Sequence, residues 1–323
     1  MKTVRLMTML LLSLLAYSNA LIGQETKEDP AFFTGISPII LERNAAEVYA
    51  TNSLSSFWLA IHQYNPRLQI TEVRDRQRFT RAETLLRFTY GFSKRKNWDL
   101  ALEIKHAFAR LDEAARSSVL RVFDSPSVIS GDFERNNSYR GLSSVGLRFR
   151  YTPFERIPEL TLQATAYQPV AGNIAKRYAF GAERFQTGLS ATYFIQSGDN
   201  IYYFFQADFV AYLKSNEINI NLRSHYTDFL PALSTIVVIR TWEDKWFVFP
   251  GLSYSTTVNS SFYKLNQQLF GSLGLFFQPN PKFSMLLNWQ LPLILDSGNR
   301  NVEFVKNSYS GFTLGLRTLI EPR

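Results

Sequence analysis

The feature that most constrains this chain is a period of two that recurs, in segments of roughly ten residues, from position 45 to near the C-terminus. In GLSSVGLRFRY (141–151), Val145, Leu147, Phe149 and Tyr151 alternate with Ser144, Gly146, Arg148 and Arg150. No helix accommodates that pattern, because neighbours on a helix face recur at three and four residues. The alternation returns in RAETLLRFTYGF (81–92), ELTLQATAY (159–167), RFQTGLSATYFIQ (184–196), IYYFFQADFVAYL (201–213) and NSYSGFTLGLRTLI (307–320), with a fainter first strand in AAEVYATNSL (45–54). Four more strands are read at 229–242, 246–257, 268–278 and 283–294. Within them Pro231 and Pro250 point to edges or bulges, since proline has no N–H to give a ladder.

One stretch, WDLALEIKHAFA (98–109), fits two readings. By twos, Trp98, Leu100, Leu102, Ile104, His106 and Phe108 oppose Asp99, Ala101, Glu103, Lys105, Ala107 and Ala109. By helical steps, Leu100, Ile104, Phe108, Leu111 and Ala115 share a face, and the composition suits a helix. The neighbouring segments decide for a strand rising from the turn SKRKN, with room for a short helix in 110–122.

The connections alternate in length. Short ones are expected at 93–97, 152–158, 197–200, 243–245 and 279–282, and long ones at 55–79, 110–140, 168–183, 214–228, 258–267 and 295–306. Aromatic residues gather beside the short ones: Trp98, Tyr151, Phe154, Tyr202, Tyr203, Trp242, Trp246, Phe276, Phe277 and Phe283. Short turns at one end, long loops at the other and an interfacial aromatic girdle are the layout of a transmembrane antiparallel up-and-down β-barrel, here of about twelve strands. A secreted β-sandwich also alternates, but strand length, loop alternation and an aromatic content of 15% favour the barrel.

The N-terminus agrees with export. Lys2 and Arg5 precede the apolar run LMTMLLLSLLAY, which closes on small residues at 18–20, the order of a secretory signal peptide. Residues 1–20 are therefore expected to be removed, 21–44 to form an irregular periplasmic segment, and 45–323 to form the barrel. Loss of two cations and no acid lowers the net charge from +8 to +6. With no cysteine, disulfides and thiolate metal sites are excluded, so strand pairing must supply the stability.

At SSVGLRFRYTPF (143–154), and more loosely at NAAEVYATNSL (44–54) and SGFTLGLR (310–317), the chain resembles a family of uncharacterised outer-membrane β-barrel proteins of Gram-negative bacteria, porin-like or transporter-like in build. The resemblance is one of pattern and covers most of the mature chain. It implies an outer-membrane location and insertion by the barrel-assembly machinery, and it carries no reaction or ligand. Many such barrels end on an aromatic residue, whereas this chain ends Leu319, Ile320, Glu321, Pro322, Arg323.

If the polar side of each strand points inward, the lumen receives Arg81, Glu83, Arg87, Asp99, Glu103, Lys105, Arg148, Arg150, Asp208 and Arg317, together with Gln163, Gln186, Gln206, Asn288 and Gln290. Asp99 and Glu103 then face Arg81 and Arg87 on one side and Arg148 and Arg150 on the other. Two readings of this interior stand side by side: a ladder of compensated charges that stiffens the wall, or an eyelet whose arginines select anions. Catalysis and metal binding find little support in His62, His106 and His225, no two of which lie beside a carboxylate at ligand spacing, although His225 in SHYTD lies near Ser224 and Asp228. No cofactor motif occurs. Scattered positive charge suits lipid phosphate or lipopolysaccharide rather than nucleic acid. The expected roles are a narrow channel for small solutes or, alternatively, a plugged structural barrel that docks another envelope protein; an enzyme acting at the rim is the least supported.

Overall fold

The computed structural model describes residues 40–65, 70–95, 97–113, 119–123, 138–172, 177, 180, 184–214, 227–241, 245–259, 264–296, 302–304 and 310–321. The expected signal peptide lies outside them, as do Trp242 and His225.

Thirteen strands are formed: β1 (Ala46–Asn65), β2 (Ile70–Gly91), β3 (Trp98–Glu113), β4 (Ser138–Tyr151), β5 (Leu160–Pro169), β6 (Gln186–Ser197), β7 (Ile201–Tyr212), β8 (Asp228–Arg240), β9 (Trp246–Asn259), β10 (Lys264–Asn280), β11 (Phe283–Asp296), β12 (Val302–Phe304) and β13 (Ser310–Ile320). Each pairs antiparallel with its sequence neighbour from β1 to β11, β11 pairs with β13, and β13 closes on β1 from Ala46↔Ile320 to Ser56↔Ser310. The result is a closed twelve-stranded barrel, with short β12 capping the wall against Leu59–Ile61 of β1. Closure joins the first and last wall strands along Ala46–Ser56 and Ser310–Ile320, which an open sheet in lipid could not do.

Alternation along β4 and much of the wall places small and polar groups inside and large apolar groups outside. In β4, Arg148 and Arg150 are buried, while Leu147 and Phe149 between them are exposed at 52% and 40%. Leu273, Leu275, Met285, Leu287, Trp289, Phe312, Leu314 and Leu316 continue that apolar surface over β10, β11 and β13. A protein with charges buried and leucines exposed is inside-out relative to a water-soluble one, and hydrocarbon is the solvent that suits its outer face.

The stretch WDLALEIKHAFA is strand β3, and the helical signal beyond it ends as a 3-10 turn at Val119–Phe123. Two expected long loops are absent. Residues 55–65 and 70–79 extend β1 and β2 into a tall hairpin joined by 66–69, and β9 reaches β10 through 260–263 alone. Residues 295–306 contain β12. Pro231 and Pro250, expected at edges or bulges, lie instead within strands paired on both sides, opposite Phe209 and Leu273, and the β8–β9 ladder keeps one register while omitting the pairs at these two prolines.

Candidate functional site

The inner wall divides into two chemically different sectors. The first is charged and runs over β13, β1, β2, β3 and β4. Arg150 grips Asp99 with two bonds, Nε to Oδ1 at 2.9 Å and an Nη to Oδ2 at 2.5 Å. Register explains the pair, because Asp99 lies directly opposite Arg150. Asp99 Oδ2 also accepts the backbone N–H of Leu41 at 3.1 Å. Residues 40–45 are thereby folded back against the short-turn end of β2 and β3, with Ile40 and Leu41 buried. Asn44, at φ 66°, makes the turn, and Gly91 exchanges backbone bonds with Asn44 and Ala45. A side chain at Gly91 would collide with the carbonyls of Leu41 and Glu42.

Glu103 is the hub of the sector. Its Oε1 accepts from Arg87 Nε at 2.5 Å and lies 3.6 Å from Arg148 Nε, and its Oε2 accepts the Tyr167 hydroxyl. Glu103 pairs with Arg87 on β2 and with Gly146 on β4. The Tyr167 ring crosses over Gly146, in space that a Cβ would occupy. Lys105 Nζ sits 3.7 Å from the centroid of the same ring, a favourable cation–π distance. Arg148 donates through an Nη to Thr89 Oγ1 at 3.2 Å. Next along the wall, Arg317 Nε donates to Glu47 Oε2 at 2.9 Å, and Arg87 lies over the Tyr49 ring. Asp99, Glu103 and Glu47 carry almost no solvent exposure.

Arg81 bonds Glu83 on its own strand, and this pair keeps side-chain exposures of 30% and 19%. It also lies within electrostatic range of Tyr212 on β7, five strands away. There Arg184 bonds Asp228 at 2.5 Å and stands over the Tyr212 ring. Higher on the charged side, Ala171 and Phe180 from the β5–β6 connection pack on Ala107 and Ala109 of β3, beside Phe79 and Tyr139.

The second sector is aromatic and lies at the short-turn end of β7–β10. Tyr202, Phe204, Val238, Phe247, Phe249 and Phe276 are buried there. The Phe249 ring covers Gly274, leaving no room for a Cβ. Arg240 donates to the Tyr202 hydroxyl at 3.2 Å. Two members of the expected lipid-facing girdle, Tyr202 and Phe276, are thus turned inward, at 6% and 7% exposure. Tyr151, Phe154 and Trp246 remain outside, joined by Phe92, which stacks on Trp98.

The sequence-predicted residues therefore come together in part. Arg87, Asp99, Glu103, Lys105, Arg148 and Arg150 form one network, Arg317 joins its edge, and Arg81 and Glu83 pair with each other instead of with Asp99 or Glu103. Asp208 stands apart on β7, accepting from Gln206 and from the Ser190 hydroxyl. Glu47, Tyr49, Thr89 and the Leu41 amide escaped sequence reading. Glu47 and Tyr49 alternate with apolar residues in the first strand and were readable as inward groups, but nothing local signals their partner 270 residues away. His106 faces outward against Phe108.

No family model matches the chain, and no curated protein does. Among solved structures it is similar to an outer-membrane channel from Pseudomonas putida F1, with 13% identity over 92% of this chain and all of the other and a TM-score of 0.59. The β-domain of the Bordetella autotransporter BrkA is also similar, at 13% identity over 86% of this chain and all of that domain, with a TM-score of 0.50. At such identities the likeness concerns the fold, which is that of outer-membrane β-barrel proteins.

Proposed function

We propose that this protein is a narrow, porin-like channel for small solutes in the outer membrane of a Gram-negative bacterium. The observation that carries this reading is a charged sector of the inner wall, over β13 and β1–β4, inside a closed barrel with an apolar outer face. Twelve strands leave a bore narrower than that of porins with 16 to 18, and the half-exposed Arg81–Glu83 pair is placed to meet a passing ion.

Arg148 and Arg150 have a different task in this reading. Both are engaged by carboxylates or hydroxyls in the wall, so they stiffen it, and Arg81 and Lys105 bias the ions that pass. Planar-bilayer recording of the purified protein tests this. Small, steady conductance with an anion preference that falls in Arg81→Ala supports the channel, and absence of conductance in a heat-resistant barrel overturns it.

A specific observation favours a second reading. Residues 40–45 are latched to Asp99 at one end, and Phe180 packs on the inner face of β3 toward the other, the arrangement of a plugged barrel with a structural or docking role. Its test is whether Asp99→Asn raises conductance from zero.

A further inference from the structure

Burying ionised groups is tolerable where each finds an opposite charge and filled hydrogen bonds. The charged sector meets that condition unevenly. Arg150 has both oxygens of Asp99, Arg317 has Glu47, and Arg81 has Glu83. Among the described residues, Arg87, Arg148 and Lys105 are left with Glu83, which Arg81 already holds, and with the carboxylate of Glu103. That carboxylate has little left to give, because its Oε1 serves Arg87 and its Oε2 takes the Tyr167 hydroxyl.

The deficit shows in individual atoms. Arg87 Nη1 and Arg148 Nε are buried and have no hydrogen-bond acceptor among the described residues. Arg148 Nε is 3.6 Å from Glu103 Oε1, an ion-pair distance and too long for a hydrogen bond. Lys105 Nζ rests on a ring, which offers a quadrupole and no charge. Among the described residues, positive charge is thus in excess around Glu103, and two guanidinium nitrogens there lack an acceptor. The Arg87 side chain, at 12% exposure, leaves this corner in touch with the lumen.

We propose that a small monovalent anion of halide size resides beside Arg87 and Arg148, accepting from Arg87 Nη1 and Arg148 Nε and reducing the excess positive charge of the wall. The anion is a fixed part of the barrel, distinct from any ion that crosses it. This inference holds whether or not the barrel conducts, since it concerns stability and occupancy.

The test uses the refolded full-length barrel, with its thermal unfolding midpoint measured in chloride, bromide and gluconate at one ionic strength. The midpoint should rise by about 2 to 3 °C for each tenfold increase in halide above its Kd and stay flat in gluconate. Arg148→Met removes one excess charge and one orphan nitrogen, so its midpoint should lose most of the halide dependence. Crystals of the wild-type protein grown in bromide should show an anomalous peak between Arg87 and Arg148, a readout that does not depend on any variant folding. Equal midpoints in halide and gluconate overturn the proposal, as does bromide density confined to the barrel exterior.

Discussion

The two sectors of the inner wall fill the same barrel by opposite means. On β13 and β1–β4, long charged side chains lie across the lumen and are held by ion pairs such as Arg150–Asp99 and Arg317–Glu47. On β7–β10, Phe247, Phe249, Phe276 and Tyr202 are buried by packing. Charge pairing fixes each group at a defined register, because a displaced guanidinium loses its partner outright. Aromatic packing tolerates displacement and needs small neighbours, which is why Gly274 lies beneath Phe249. The polar sector is thus the one able to interact with ions, and the apolar one is a filled floor.

Substitutions should separate the sectors. The largest effect is expected from Asp99→Asn, which removes the charge that holds Arg150 and weakens the seat of Leu41. Leaving a buried guanidinium unpaired costs roughly 3–5 kcal/mol, read as a lower urea midpoint for the folded barrel in lipid vesicles. An unchanged midpoint would mean that lumen water solvates Arg150 and that the sector is less dry than its burial suggests.

Phe249→Ala should cost roughly 3 kcal/mol in the same assay, as large-to-small changes at buried aromatics do. Unlike Asp99→Asn, it removes filling without orphaning a charge, so in a conducting barrel it should also raise single-channel conductance. Loss of stability with no gain in conductance would place the constriction in the charged sector alone.

Gly274→Ala tests the same floor from beneath. Its new methyl meets the Phe249 ring, and overpacking of this kind costs about 1–3 kcal/mol. The double variant Gly274→Ala with Phe249→Leu should recover part of that loss, since the smaller side chain vacates the contested space. Failure to recover would indicate that Gly274 is needed for backbone reasons.

The smallest effect on stability belongs to Arg81→Ala. Its pair with Glu83 is partly open to water, and such pairs contribute about 1 kcal/mol or less. Its consequence should appear in reversal potentials under a salt gradient, shifting toward cations. No shift would remove Arg81 from the ion path.

Legibility of the sequence followed the same division. Where one face was polar and the other apolar, as in 141–151 or 98–109, period two located both the strand and its inward side, and Asp99, Glu103, Arg148 and Arg150 were found. In WFVFPG (246–251), aromatic residues occupy both faces, so alternation carried no information about direction. Tyr202 and Phe276 were misplaced in the girdle for that reason. The upper β1–β2 hairpin is not legible as strand because residues 62–79, HQYNPRLQITEVRDRQRF, are mostly polar and show no sustained period of two.

The sequence by itself determined the architecture. A repeated period of two with apolar residues on one side can be satisfied in lipid only by closing the sheet, and closure sets the alternation of turns and loops. The tertiary structure alone decided which charges meet. Glu47 and Arg317 join because the first and last strands close the barrel, and Glu103 meets Arg87, Arg148 and Tyr167 because three strands bring them to one level. Such pairings depend on register and on curvature that brings distant strands together, and neither quantity is written in the local order of residues.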